Sequence, residues 1–345
     1  MIASATVHDV RLTDPLRPTA GSPQLRPLIL LRLEAADGAV GLGEAAPLEQ
    51  YDGVSVDRVL RALNAHIALL ADVDSEAGVD VRAACAAADP LPQALAAVDL
   101  ALWDLAGRRA GKPVAEMLGA VDPPPVAVNA TIGAVTPRDA ALEAEQALAA
   151  GFTCIKVKVG TPDDRQRLQA VRDAVGPDML IRVDANGAWD QLTAPERIRA
   201  LARFNIELFE EPVHGSVVEA VARAVPESLL ALDESVSANL GPHARRLCDA
   251  VCLKISGSGG ITGLLAEAER ARELGYEVYV ASTLDGPLGI AAALHAAAVV
   301  RPDRHCGLAT LGRFDRPVPE SVAAKTGSMR APDGPGLGDG FARWY

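Results

Sequence analysis

The sequence predicts an α/β fold, a TIM-type barrel behind a small N-terminal α+β unit, and three observations predict it. Short apolar runs recur at a near-constant spacing. Segments of helical period separate them. Charges stand at the ends of runs that a barrel should keep apolar. The runs are VAVNAT (126–131), CIKVKV (154–159), LIRVDA (180–185), ELFEEP (207–212), LALDES (230–235), AVCLKI (250–255), VYVAST (278–283) and HCGLAT (305–310), eight in all. Their starts lie between 20 and 28 residues apart, the length of one βα unit. An open doubly wound sheet is the alternative. Its glycine fingerprint is incomplete here, because Gly41-Leu42-Gly43 lacks a third glycine at the required place.

The elements follow in order. LILLRLEA (28–35) reads as a strand, and Asp37-Gly38 after it is a hairpin signal. The run at 39–48 is rich in glycine, holds Pro47, and reads as a loop. Residues 92–109 have helical periodicity, with Pro92 in the first turn and Gly111 and Pro113 as the stop. VDPPPV at 121–126 reads as a linker. Between the second and third runs, Thr161 offers an N-cap, Pro162 a first helical residue, and Asp163 and Asp164 acid in the first turn.

Composition narrows the function. A chain of 345 residues allows about two domains. The net charge of −12, with no Lys/Arg block, argues against nucleic acid as a partner. No apolar run of the roughly 18 residues that a membrane span needs is present, so no membrane partner is expected. The N-terminus lacks a basic start and an apolar core, so it does not read as a signal peptide. Five scattered cysteines, Cys85, Cys154, Cys248, Cys252 and Cys306, form no CxxC pair and suit a reducing cytoplasm, each as a small buried residue. His214, His243, His295 and His305 are not at metal-ligand spacing and read as structural or surface residues. A homo-oligomer is compatible with all of this.

The charges within the apolar runs carry the chemistry. Lys156 and Lys158 are two apart on one strand and point to one face. Asp184 ends the next run, Glu210 and Glu211 the next, Asp233 and Glu234 the next, and Lys254 the one after. A barrel gathers its strand C-termini at one mouth, so these residues converge. One such carboxylate alone reads as a helix cap or ion pair, and two lysines alone as an edge strand. Five charged strand ends in a row resist that reading, because buried unpaired charge is costly. Three converging carboxylates repel one another, and a hard divalent ion such as Mg²⁺ relieves the repulsion. A lysine beside a metal and a second lysine has its pKa lowered and can act as a base. The expected reaction is removal of the proton next to a substrate carboxylate, the enediolate being stabilised by the metal.

These residues resemble the enolase superfamily in its muconate-lactonizing-enzyme-like branch. The resemblance rests on Lys156-Val157-Lys158, Val183-Asp184-Ala185-Asn186-Gly187-Ala188-Trp189, Phe209-Glu210-Glu211-Pro212, Asp233-Glu234-Ser235, and Leu253-Lys254 followed by Gly259-Gly260. It implies a (β/α)7β barrel at 126–310, an N-terminal α+β capping domain at 1–125, and a C-terminal segment, 311–345, returning to the cap. It also implies a mobile lid around Gly43-Glu44-Ala45. By the same resemblance Asp184, Glu210 and Asp233 hold Mg²⁺, with Mn²⁺ as the substitute. Lys158 is the principal base, Lys156 lowers its pKa and orients the substrate carboxylate, and Lys254 is a second acid/base or cationic stabiliser. Asn186, Glu211 and Glu234 support the metal ligands. Thr131, Ser256, Ser282, Thr283 and Asp285 are candidates for contacting the small carboxylate substrate.

Within the branch, VNAT (128–131), STLDGPLGIAAAL (282–294) and CGLAT (306–310) look most like o-succinylbenzoate synthases, which dehydrate a cyclohexadiene carboxylate in menaquinone synthesis. Dipeptide epimerases carry an Asp-x-Asp on the eighth strand that this chain lacks. N-acyl amino acid racemases and muconate cycloisomerases share the lysines and metal and stay as alternatives. The His-Asp base pair of mandelate racemases is missing, since Lys254 stands on the sixth strand. A barrel that only binds a carboxylate is the non-enzyme alternative, and it leaves the second lysine without a purpose.

Overall fold

The computed structural model describes residues 1–13, 25–71, 78–133 and 135–345. Its N-terminal part opens with an antiparallel sheet of β1 (Ile2–Arg11), β2 (Leu25–Glu34) and β3 (Val40–Ala45), in that spatial order. Helices α1 (Glu49–Asp52), α2 (Val56–Ala71), α3 (Gly78–Ala88), α4 (Pro92–Ala110) and α5 (Val114–Met117) follow. The first strand carried no strong sequence signal, because its inward residues include the small Ala3 and Ala5.

The expected loop at 39–48 is corrected by β3, which pairs with β2 from Glu34–Val40 to Ile29–Ala45. The reason lies in packing. A Cβ added at Gly41 would stand 2.2 Å from the Ala101 carbonyl oxygen, and one at Gly43 1.9 Å from that of Ala97. Both glycines let α4 lie directly on the strand, a use of glycine that composition alone reads as a loop. The helix begins at Pro92 and ends on Gly111, whose φ of 65° is the left-handed cap that glycine adopts freely. It buries Leu95, Val98, Leu100 and Leu105, each worth ~1.5–3 kcal/mol.

The second part starts with β4 (Val126–Ala127), which pairs with β12 (Ser328–Met329) near the C-terminus. The expected strand at 126–131 is therefore divided, and its second piece, β5 (Ala130–Ile132), opens the main sheet. The order then alternates: α6 (Pro137–Ala149), β6 (Cys154–Lys158), α7 (Asp164–Val175), β7 (Leu180–Asp184), α8 (Ala194–Ala202), β8 (Ile206–Glu210), α9 (Val218–Ala224), β9 (Leu230–Leu232), α10 (Val236–Asn239), β10 (Ala250–Leu253), α11 (Ile261–Glu273), β11 (Glu277–Val280) and α12 (Pro287–Val300). Strands β5 to β11 form one parallel sheet in sequential order.

The eighth run adds no full strand. It makes single parallel bridges instead, Cys306 to Val128, which precedes β5, and Gly307 to Ala281, which follows β11. The N-cap expected at Thr161 also shifts, because α7 begins at Asp164. That carboxylate accepts from Gly160 N at 2.8 Å and Thr161 N at 3.1 Å and holds Arg167 at 3.0 Å, closing the turn before the helix.

The C-terminal segment lies against the N-terminal part. Leu337 N donates to Asp104 at 2.8 Å, Arg108 pairs with Asp339 at 2.8 Å, and Val114 N donates to the Gly336 carbonyl. No helix among the described residues is long and apolar enough to cross a membrane.

Candidate active site

Strand register brings the charged residues together. Lys158 is the direct neighbour of Asp184 across β6 and β7, and Asp184 that of Glu210 across β7 and β8. Asp233 and Lys254 are the first residues after β9 and β10. All five converge with Lys156 at one end of the sheet. A cavity of about 430 Å³ opens there, lined by Lys156, Lys158, Asn186, Asp233, Glu234 and Lys254 among others.

Every buried charge in this group has a partner. The Lys156 Nζ lies 2.8 Å from Asp184 and 2.6 Å from Glu210. The Lys158 Nζ lies 2.5 Å from Asp184 and donates to Asn186 Oδ1 at 2.9 Å. The Lys254 Nζ lies 2.6 Å from Asp233. Asn186 passes its amide to Glu234 Oε1 at 2.8 Å and takes its backbone position from Asp184, which accepts Asn186 N at 2.9 Å. Glu211 accepts Asp233 N at 2.7 Å and the Ser235 hydroxyl. Asn186 and Glu211 both have positive φ, 44° and 37°, a strained conformation that recurs at functional sites.

The electrostatics separate the three lysines. Burial lowers the Lys158 pKa, and Lys156 adds to the lowering against the pull of Asp184. Burial opposes charge on Lys156 as well, but Asp184 and Glu210 overcome it and raise its pKa. Lys254 is raised in the same way, chiefly by Asp233. The balance of burial and neighbouring charge thus runs down for Lys158 and up for Lys156 and Lys254. Glu210 is raised by burial, and Asp184 and Asp233 push it further while Lys156 resists.

The donor set fits a divalent cation. Ligand atoms of Glu210, Asp233 and Cys252, all buried, lie within 4.8 Å of one another. Asp184 joins them through Lys156, whose ammonium it shares with Glu210. Glu234 Oε2 is buried without a hydrogen-bond partner. Cys252 stands beside the two carboxylates, but burial pushes its thiol pKa up, and a hard ion such as Mg²⁺ takes oxygen ligands instead. A thiol in an apolar run gives no sequence signal of such a place.

The candidates for substrate contact divide. Thr131, Ser282 and Thr283 line the cavity. Ser256 and Asp285 are not among its lining residues. Ser256 is buried and donates to the Ala46 carbonyl at 3.4 Å. Asp285 is buried beneath the wall, accepting the Thr283 hydroxyl at 2.9 Å. It lies close to Arg26, which restrains the rise that burial imposes on its pKa.

Sequence reasoning missed several lining residues: Leu48, Gln50, Tyr51, His214 and Thr310. Tyr51 is the most closely engaged. Its hydroxyl donates to Asp233 at 2.9 Å and accepts from Lys254, whose Nζ is 4.1 Å from the ring centroid. The expected lid is corrected too. Gly43-Glu44-Ala45 lies inside β3, where Glu44 accepts Gly286 N at 2.8 Å. Beyond that strand, Arg26 donates to the carbonyls of Ala46 at 2.8 Å and Thr283 at 3.0 Å, tying the segment before Tyr51 to the end of β11.

Two family models match the chain. Residues 139–342 match the family described as Enolase C-terminal domain-like. Residues 1–119 match the Mandelate racemase / muconate lactonizing enzyme, N-terminal domain. Muconate cycloisomerase 1 of Rhodococcus opacus is 30% identical, over 96% of this chain and 93% of its own. The o-succinylbenzoate synthase of Thermobifida fusca is 39% identical, over 54% of this chain and 60% of its own. The dipeptide epimerase of Enterococcus faecalis, solved with Mg and the dipeptide L-Leu-L-Tyr, superposes with a TM-score of 0.88 at 25% identity, covering 97% of this chain and 98% of that one. Epimerases, racemases and cycloisomerases recur among the further matches.

Proposed function

Since the chain belongs to the enolase superfamily of enzymes, in its mandelate racemase/muconate lactonizing enzyme branch, we propose that it is a Mg²⁺-dependent dehydratase of the o-succinylbenzoate synthase type. The observation that carries this choice is the neutral wall between the strands that carry the lysines, β10 on one side and, beyond β5, β6 on the other. Ala281, Ser282, Thr283, Gly307 and Thr310 form it, with Ser282 and Thr310 hydroxyls 2.7 Å apart. A substrate ammonium finds no carboxylate there, whereas a carbonyl or carboxylate oxygen finds hydroxyl donors. The likeness to the Thermobifida fusca enzyme points the same way.

Asp184, Glu210 and Asp233 would hold the Mg²⁺, with Mn²⁺ as a substitute. When bound, the ion supplies positive charge beside the substrate carboxylate. Lys158, with its lowered pKa, takes the proton alpha to that carboxylate. Charge builds on the carboxylate oxygens, facing the cationic Lys156 and Lys254. Lys158 then returns the proton to the leaving hydroxyl on the same face, releasing water and completing the aromatic ring. Asn186 holds Lys158 in position for both transfers, and Glu211 and Glu234 fix the residues around it.

The architecture we assign is a (β/α)7β barrel at 126–310, closed through the bridges at 306–307, with 1–125 and 311–345 as the cap. Five free cysteines, all buried, support a reducing compartment, the cytoplasm.

The second reading is racemisation or epimerisation, which the Enterococcus faecalis structure and the presence of a lysine at the end of β6 and another after β10 favour. Substitution separates the two. Lys158→Ala ends turnover in either case with the fold intact, and near-normal activity would contradict its role as base. Lys254→Arg keeps measurable dehydration if Lys254 contributes only charge. Loss as complete as in Lys158→Ala favours proton exchange at Lys254, and with it a racemase.

A further inference from the structure

A second layer of polar groups lies beneath the carboxylates, inside the barrel and away from the cavity. Arg182 is fully buried there. Its guanidinium donates to Glu207 at 3.1 Å and to the His305 carbonyl at 2.8 Å. Arg304 holds the other Glu207 oxygen at 2.8 Å. Above Arg182 lies the ring of Tyr279, its centroid 5.2 Å from the guanidinium carbon. Tyr279 is itself buried, and its hydroxyl donates to Glu210 Oε2 at 2.9 Å.

From this stack we infer that Tyr279 is a positioning residue for the metal site, setting the orientation of Glu210 from below. The inference rests on the reading of Glu210 as a metal ligand. Glu210 has two oxygens with different partners. Lys156 takes Oε1 and Tyr279 takes Oε2. A phenol satisfies one lone pair of Oε2 without neutralising the carboxylate. The group keeps its charge and a further lone pair for a cation. A phenylalanine would fill the same volume and leave Glu210 free to turn. The stack beneath explains why the phenol holds still: Arg182 is fixed by Glu207 and a backbone carbonyl, and the ring rests on it.

The alternative is that Tyr279 merely packs the barrel and its hydroxyl takes the nearest acceptor. In that case its loss lowers stability equally with and without metal. The test is a Mn²⁺ titration of the full chain, followed by the loss of the free-ion electron paramagnetic resonance signal, with thermal unfolding measured with and without Mn²⁺. Tyr276→Phe is the control, because that buried phenol bonds Leu247 N and the Arg245 carbonyl, away from the carboxylates. We expect Tyr279→Phe to bind Mn²⁺ about 10- to 100-fold more weakly and to show a smaller metal-induced rise in Tm, with Tyr276→Phe unchanged in both. Wild-type Mn²⁺ affinity in Tyr279→Phe overturns the positioning role. Absence of saturable Mn²⁺ binding in the unaltered chain overturns the metal reading itself.

Discussion

Tyr51 reaches the site from the N-terminal part, and Tyr51→Phe isolates what its hydroxyl contributes. The substitution keeps the ring, 4.1 Å from Lys254 Nζ, and removes both the bond to Asp233 and the acceptor for Lys254. A hydrogen bond to a charged partner contributes about 1.5–3 kcal/mol. Lys254 and Asp233 retain each other at 2.6 Å, so the lower end of that range applies. If it is expressed in the transition state, kcat/KM falls about 10-fold. Tyr51→Leu also removes the ring, a desolvated cation–π contact of about 2 kcal/mol, for roughly a further 30-fold. Steady-state kinetics of both variants, beside thermal unfolding to establish that each is folded, measure the two contributions. A Tyr51→Phe enzyme within twofold of wild type would refute the idea that this hydroxyl fixes Lys254.

Gly43→Ala places a methyl 1.9 Å from the Ala97 carbonyl oxygen, so α4 must shift and the chain should lose about 3 kcal/mol or more, read by urea unfolding. Burial lowers the His295 pKa to about 4, and Nδ1 accepts from Ala115 N at 3.1 Å. The folded state therefore prefers neutral His295. Its contribution is complete above the unfolded pKa of about 6.5 and is lost as pH falls toward 4, up to ~3 kcal/mol. The difference in stability between wild type and His295→Gln across that pH window should show this slope, and a constant difference would contradict it. Chelation of divalent ions should abolish turnover, and Mg²⁺ or Mn²⁺ should restore it.

The residues legible in the sequence were those that break a pattern. Lys156, Asp184, Glu210, Asp233 and Lys254 are charges within or at the ends of apolar runs, and burial makes such charges expensive enough to notice. Tyr51, Tyr279 and Cys252 break no pattern, since each passes for an ordinary buried side chain. Their positions depend on which strands and segments meet, which only the assembled fold decides. The strand at Val40–Ala45 was hidden for a different reason. Gly41 and Gly43 weaken a strand in isolation but permit close contact with α4, and the partner lies some fifty residues away. Asp285 was misplaced because its motif lies beside the mouth, while its side chain turns under the wall to Thr283.

The central claim is the reaction, and turnover of the cyclohexadiene carboxylate by the pure chain with Mg²⁺ tests it most directly. Conversion can be followed as the ring becomes aromatic. A panel of N-acyl amino acids, dipeptides and muconates is run beside it with α-proton exchange in D₂O. We predict dehydration to o-succinylbenzoate that needs Lys158 and the metal and far exceeds any turnover of the panel. No dehydration, alongside rapid epimerisation of a dipeptide or an N-acyl amino acid, would contradict the assignment.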